Sequence, residues 1–151
     1  MSELRELYQT VILDHYKKPR NYRKPEGANR LAEGRNPLCG DHIKVWARIE
    51  DDRLADVGFE GSGCAISTAS ASLMTEIVKA KTRDEARAIF TRFRDVVLGG
   101  QQVDGAELAS LGKLEVLAGV REFPARVKCA TLAWHALEAA LEGSSESVST
   151  E

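Results

Sequence analysis

From residue 3 to residue 16 apolar positions recur at steps of three and four: Leu4, Leu7, Val11 and the Tyr8/Ile12 pair. That period predicts an amphipathic helix. Lys17, Lys18 and Pro19 end it, with cations near the negative end of the helix dipole. The period then vanishes. Residues 17–38 scatter Pro19, Pro25, Gly27, Gly34 and Pro37 among charges, which predicts a long irregular segment with a short strand near Ala28–Glu33. Loops of that length in a compact domain are often functional. From Asp41 to Glu50 the pattern becomes alternation, with Ile43, Val45, Ala47 and Ile49 on one side and Trp46 out of step. Leu54–Glu60 follows, with Val57 and Phe59 sharing a face. The Asp51-Asp52-Arg53 turn between them makes the pair an antiparallel hairpin.

Helices follow the hairpin. After Gly61-Ser62-Gly63-Cys64 comes AISTASASLMTEIVKA, whose small residues predict a helix packed closely on a neighbour. Cys64 falls at its first turn. Thr82-Arg83-Asp84-Glu85 is a capping box for a helix that runs to about Leu98 and stops at Gly99-Gly100. Asp104-Gly105-Ala106-Glu107 is a second capping box, for a short helix through about Leu111. Pro124 suits the first turn of the last helix. Its apolar stripe is Val127, Ala130/Thr131, Trp134, Leu137/Glu138 and Leu141. The reading is one domain over residues 1–142, with a Ser- and Glu-rich tail, 143–151, expected to be disordered.

Composition narrows the function. A chain of 151 residues that is 43% hydrophobic has enough apolar material for one core. Lys+Arg is 21 and Asp+Glu is 23, for a net charge of −2, so nothing points to a nucleic-acid or membrane-surface partner. No run approaches the roughly 18 apolar residues of a membrane span. The acid-bearing amphipathic N-terminus reads as neither a signal nor a transit peptide. Three cysteines, an odd number without an export signal, point to a reducing, cytoplasmic setting rather than a disulfide framework.

Cys39, Cys64 and Cys129 are far apart in sequence, and no CxxC pair is present. Their contexts differ: a Gly/Pro loop before a strand, a GSG bend into a helix, and the early turns of the last helix. Helix N-termini favour anions, so the Cys64 thiol, and more weakly that of Cys129, should be acidified. Arg126 and Lys128 add to this at Cys129 where their charges point toward it. In an extended backbone Cys39 and Asp41 would project to the same side and His42 away. Three thiolates and one carboxylate would make a closed zinc site. About two negative charges would remain in excess around a divalent ion, and Arg126 is a natural partial offset. Other readings stay open from the residues alone. The cysteines could be core packing, Asp41 a turn residue, or Cys39 a nucleophile with His15, His42 or His135.

Four stretches decide among these. LYQTVILDHYKKPRN, NPLCGD, GSGCAISTASASLMT and GVREFPARVKCATLAWHALEAAL together resemble the SufU family, within the wider IscU/NifU-N-like iron–sulfur cluster assembly proteins. The resemblance covers about residues 7 to 141. IscU-type proteins carry a histidine immediately before the last cysteine, where this chain has Lys128, and they lack an insertion that residues 90–118 supply here. The resemblance implies an α+β fold, a small antiparallel sheet of about three strands packed against helices, with an extra helical insertion between the second and third cysteines. It implies zinc held by Cys39, Asp41, Cys64 and Cys129. It also implies a zinc-dependent sulfurtransferase that accepts persulfide sulfur on Cys39 from a SufS-type cysteine desulfurase. That sulfur then passes to a thiol acceptor or an iron–sulfur scaffold. Arg126 matches a family arginine and would hold released ligands or balance their charge. Tyr16, Lys17 and Arg20 are candidate desulfurase contacts. The alternative within the same resemblance is an IscU-type scaffold that builds an iron–sulfur cluster on the three cysteines.

Overall fold

The computed structural model describes residues 2–37, 39–98, 112–143 and 148–149. Helix α1, Ser2–Lys17, leads into an extended segment and then into three antiparallel strands. These are β1 (Arg30–Asn36), β2 (Asp41–Glu50) and β3 (Arg53–Ser62). Helices α2 (Ala65–Val78) and α3 (Arg83–Leu98), a 3-10 stretch (Gly112–Glu122) and helix α4 (Pro124–Leu141) complete the domain. A two-residue strand β4, Val148–Ser149, pairs parallel to β1, so the sheet order is β3-β2-β1-β4. Two residues of the tail expected to be disordered are thus paired with the sheet edge.

The β2–β3 hairpin turns where the sequence predicts, at Asp51 and Asp52. Both adopt positive φ, 51° and 65°, the pair of left-handed residues that a tight hairpin turn needs. β1 is longer than the short strand expected at 28–33 and extends to Asn36. Proline content had argued for loop there, but Pro37 lies just past the strand, where it terminates pairing instead of breaking it.

Helix α4 is the centre of the molecule. The stripe predicted for a one-sided helix is too narrow: Cys129 through Ala133, Trp134, Ala136, Leu137 and Ala139 to Leu141 are all buried. α4 lies against β1 and β2 on one side and against α2, α3 and the 3-10 stretch on the others. The Trp134 ring is fully buried and stacks with Phe90 at 5.8 Å, while Phe93 packs at 5.3 Å. The small-residue helix α2 does pack closely, as expected. Ser70 Oγ donates to the Ala130 carbonyl at 2.5 Å and accepts from Trp134 Nε1 at 3.3 Å. The Thr82/Glu85 capping box forms as read, with Glu85 N donating to Thr82 Oγ1 at 3.1 Å and Thr82 N to Glu85 Oε1 at 2.9 Å. The capping box at Asp104 and its helix lie outside the described residues. In the 3-10 stretch Leu114, Leu117 and Val120 are buried. Their three-residue spacing puts them on one face only if there are three residues per turn.

α1 is tied to α2 through His15, which is 1% exposed. Its Nδ1 lies 2.7 Å from Ser72 Oγ and its Nε2 is 3.7 Å from Glu76 Oε1. Burial pulls the His15 pKa below its ordinary 6.5, and the Arg20 charge lowers it further. The folded protein therefore holds His15 neutral, while the unfolded chain takes up a proton near pH 6.5. A depressed histidine favours folding above that pH and loses its contribution as pH falls toward the folded value. Stability should drop below pH 6.5, with His15 contributing at most about 1.4 kcal/mol per pH unit. His15→Gln should flatten the slope of urea-unfolding stability against pH in that range; an unchanged slope would contradict the account.

Candidate metal centre

β1 and β2 meet in a tight connection whose strand ends, Asn36 and Asp41, are cross-strand partners. Cys39 N–H donates to the Asn36 carbonyl at 3.2 Å, closing the turn. Gly40 then takes φ +70°, a conformation that side-chain-bearing residues rarely adopt. Cys39 is left exposed at the tip, and Asp41, the first residue of β2, is 2% exposed. The two do converge, but not as neighbours on one extended strand. The left-handed step at Gly40 separates a turn residue from a strand residue and points both into the same pocket.

Cys64 is the N-cap of α2 rather than a first-turn residue. Its Sγ accepts the Ser67 N–H at 3.4 Å, and its own backbone N–H donates to Asp41 Oδ1 at 2.8 Å. That second bond orients the carboxylate and leaves Oδ2 facing the thiols, 4.0 Å from Cys64 Sγ. Gly63 permits the approach, because a Cβ there would stand 2.5 Å from Asp41 Oδ1. Cys129, 1% exposed on α4, brings its Sγ to 3.2 Å from Cys39 Sγ. Ligand atoms of Cys39, Asp41 and Cys129 all lie within 4.8 Å of one another; Cys64 Sγ stands outside that trio, 4.0 Å from Asp41 Oδ2. Of the four residues named from sequence, the structure groups Cys39 from the turn, Asp41 from the start of β2 and Cys129 from the body of α4, and sets Cys64, the cap of α2, against Asp41.

Hydrogen bonding to Cys129, with help from the Ser67 amide, lowers the Cys64 pKa to about 7 in spite of burial. The same contact, together with burial, pushes the Cys129 thiol well above the ordinary range. Within this pair Cys64 is the thiol that ionises first and Cys129 the one that keeps its proton. Asp41 is a buried carboxylate whose hydrogen-bond partners among the described residues are an amide and a thiol, with no cationic side chain. Burying such a charge is costly unless something positive compensates it. Two sulfurs and a carboxylate oxygen lie within reach of one ion, with the Cys64 sulfur next to that carboxylate; such donors suit zinc, and they suit iron as well.

Arg126 lies on the exposed first turn of α4, with its guanidinium 4.7 Å over the Phe123 ring. None of the three histidines joins the cluster. His15 serves α1, His42 Nε2 is 3.0 Å from Glu33 Oε2, and His135 meets the Phe90 ring edge-on. Tyr16 and Lys17 are exposed, whereas Arg20 is engaged, its Nη2 2.7 Å from Asp14 Oδ2. Sequence reasoning passed over Asn36 and Gly63, both legible only as turn residues. NPLCGD held the signal for Asn36, since a closed hairpin turn must pair it with Asp41.

Residues 7–130 match the family described as the NifU-like N terminal domain. The chain belongs to this family. As a NifU-like N-terminal domain it is similar to the iron-sulfur cluster assembly scaffold protein IscU of Streptococcus pyogenes serotype M1. The two are 41% identical over 144 residues, which is 95% of this chain and 88% of that one. It is also similar to the zinc-dependent sulfurtransferase SufU of Bacillus subtilis strain 168, 44% identical over 132 residues and 87% of each chain. A crystal structure from Fervidobacterium islandicum AW-1, named for cluster assembly in the SUF system, superposes with a TM-score of 0.81. It is 36% identical, over 90% of this chain and 97% of that one. The expected α+β architecture and the expected membership of the IscU and SufU assembly proteins both hold for this NifU-like domain. No helix among the described residues is long and apolar enough to cross a membrane.

Proposed function

We propose that this chain is a zinc-dependent sulfur acceptor of the SufU kind. It takes persulfide sulfur from a SufS-type cysteine desulfurase on Cys39 and passes it to a thiol acceptor or a cluster-building scaffold. The observation that carries this reading is unequal access. Cys39 is exposed, whereas Asp41 and Cys129 beside it are 2% and 1% exposed. Only one thiol of the close Cys39–Cys129 pair stands where a partner's persulfide can reach it.

Zinc held by Cys39, Asp41, Cys64 and Cys129 would keep the thiols deprotonated at neutral pH without redox chemistry of its own. The chain's residues supply the rest. Gly40 lets Cys39 move outward at small conformational cost, while Asp41 stays tied to the Cys64 amide. The Cys39 thiolate attacks the outer sulfur of the desulfurase persulfide. A sulfur–sulfur bond forms to Cys39, the persulfide bond breaks, and its electron pair leaves with the desulfurase cysteine as a thiolate. No oxidant or reductant is consumed. Arg126 is the proposed counter-charge for the ligand set, and Tyr16 and Lys17 are proposed desulfurase contacts. The setting is a reducing cytoplasm, where unpaired thiols persist.

A cluster scaffold on the same thiols is the second reading, favoured by the IscU name of the Streptococcus pyogenes relative. Lys128 speaks for sulfur transfer, because an ammonium beside Cys129 is no ligand for iron. Metal analysis of anaerobically purified protein separates the two when paired with a desulfurase stimulation assay. One tightly held zinc per chain, with faster cysteine turnover by the desulfurase, supports sulfur transfer. A reconstituted cluster that moves to an apo-acceptor, without stimulation, supports the scaffold.

A further inference from the structure

Asn36 is 0% exposed and sits at the end of β1, directly opposite Asp41. Opposed residues of an antiparallel pair point to the same face, so its amide is aimed into the pocket that Asp41 lines. Its Nδ2 donates to Cys129 Sγ at 3.4 Å. The orientation of the amide follows from proton supply. A metal-ligating thiolate offers only lone pairs, so the NH2 end is the one that can bond the Cys129 sulfur, as it does here. The other end, Oδ1, is buried with no hydrogen-bond partner among the described residues. Leaving such a group unpaired costs about 1–3 kcal/mol. A leucine of similar shape would avoid that cost, so what asparagine adds here is the N–H···S bond.

We infer that Asn36 is a positioning residue of the metal centre, whose amide holds the Cys129 sulfur as a fixed ligand and leaves Cys39 as the thiol that takes up sulfur. This rests on the sulfur-acceptor reading above. The physics is a hydrogen bond to a thiolate. An amide N–H is too weak an acid to protonate the sulfur and release it from a metal, yet it draws electron density from the sulfur lone pairs. Hydrogen bonds of this kind orient first ligands and tune their donor strength. The bond is needed here because the two sulfurs are in contact, so a persulfide delivered to one is within reach of the other. Burial hinders Cys129, and the Asn36 N–H draws electron density from the sulfur with which it would attack.

The wild-type protein tests this without any substitution. Loaded with a spin-half cadmium isotope, it should show scalar coupling between the metal and the Asn36 side-chain amide protons, carried through Cys129 Sγ. Absence of that coupling in a fully loaded sample overturns the inference. Asn36→Leu, checked for folding by circular dichroism, gives the consequences. In the cobalt(II)-substituted variant the sulfur-to-cobalt charge-transfer band should move to longer wavelength, because the unbonded sulfur donates more strongly. After reaction with a desulfurase persulfide, peptide mass spectrometry should find sulfur on Cys129 as well as Cys39. A folded variant with an unmoved band and persulfide confined to Cys39 overturns the inference. Failure of wild-type Cys39 to carry persulfide would sink the sulfur-acceptor reading instead, with the cadmium coupling still present.

Discussion

Cys39→Ala is expected to retain zinc and to leave the desulfurase at its rate in the absence of this protein. Cys39 is exposed and seated in a turn, so its loss opens no cavity and the fold should be unaffected. Asp41, Cys64 and Cys129 keep their positions, because each is held by bonds that do not involve Cys39: the Cys64 amide on Asp41, the Ser67 amide on Cys64 and the Asn36 amide on Cys129. Water can complete a site with three protein donors, as it does in catalytic zinc centres. Affinity should still fall by more than the roughly 10–100-fold that losing a supporting hydrogen bond costs. With no thiol at position 39, the covalent route for sulfur is gone. The measurement is cysteine-dependent sulfide or alanine release by the desulfurase, alongside zinc content by elemental analysis. Full stimulation by a zinc-loaded Cys39→Ala protein would refute the acceptor role. Loss of zinc together with stimulation would show instead that Cys39 is mainly structural.

Trp134→Ala should produce the largest change in stability. The side chain is fully buried between Phe90 and Phe93, and its Nε1–H donates to Ser70 Oγ. Truncating a core tryptophan costs about 3–5 kcal/mol, against a total of roughly 5–15 kcal/mol for a typical domain. At about 2–4 °C per kcal/mol for a domain of this size, the melting temperature should fall by roughly 6–20 °C. Trp134 is no metal ligand, so zinc binding should persist below the new transition. Trp134→Phe should recover much of the loss, since it restores ring packing without the N–H bond. Calorimetry would settle the matter; a melting temperature within about 2 °C of wild type would mean that α4 is not the packing centre described here.

The core and the site were legible to different degrees. Periodicity located α1, the β2–β3 hairpin, α3 with its capping box, and α4, because each pattern is local: a turn residue, a cap or a repeat length. It underestimated α4, whose burial on nearly all sides comes from the sheet, α2 and α3, all far away in sequence, and from the 3-10 stretch just before it. It cut β1 short because proline and charge content mark loops, and they cannot register that a strand ends one residue before Pro37. It assigned no helix to residues 112–122, where a three-residue apolar spacing matches neither the α nor the β period.

At the metal centre, the sequence alone determined which residue types were available: three thiols without a CxxC pair, and Asp41 two positions after Cys39. Together with the resemblance of four long stretches, that was enough to propose the set. Only the tertiary structure decided how they differ. Cys39 and Cys129 are both cysteines in sequence, but one rides a turn released by Gly40 and the other is buried on α4 under the Asn36 amide. Asp41 is fixed in place because the Cys64 amide and the bare Cα of Gly63 hold its carboxylate. Exposure, orientation and hydrogen-bond partnership depend on elements that meet across up to 93 positions of chain, as Asn36 and Cys129 do. A local pattern carries no record of such meetings, because they are set by how the packed layers close on one another.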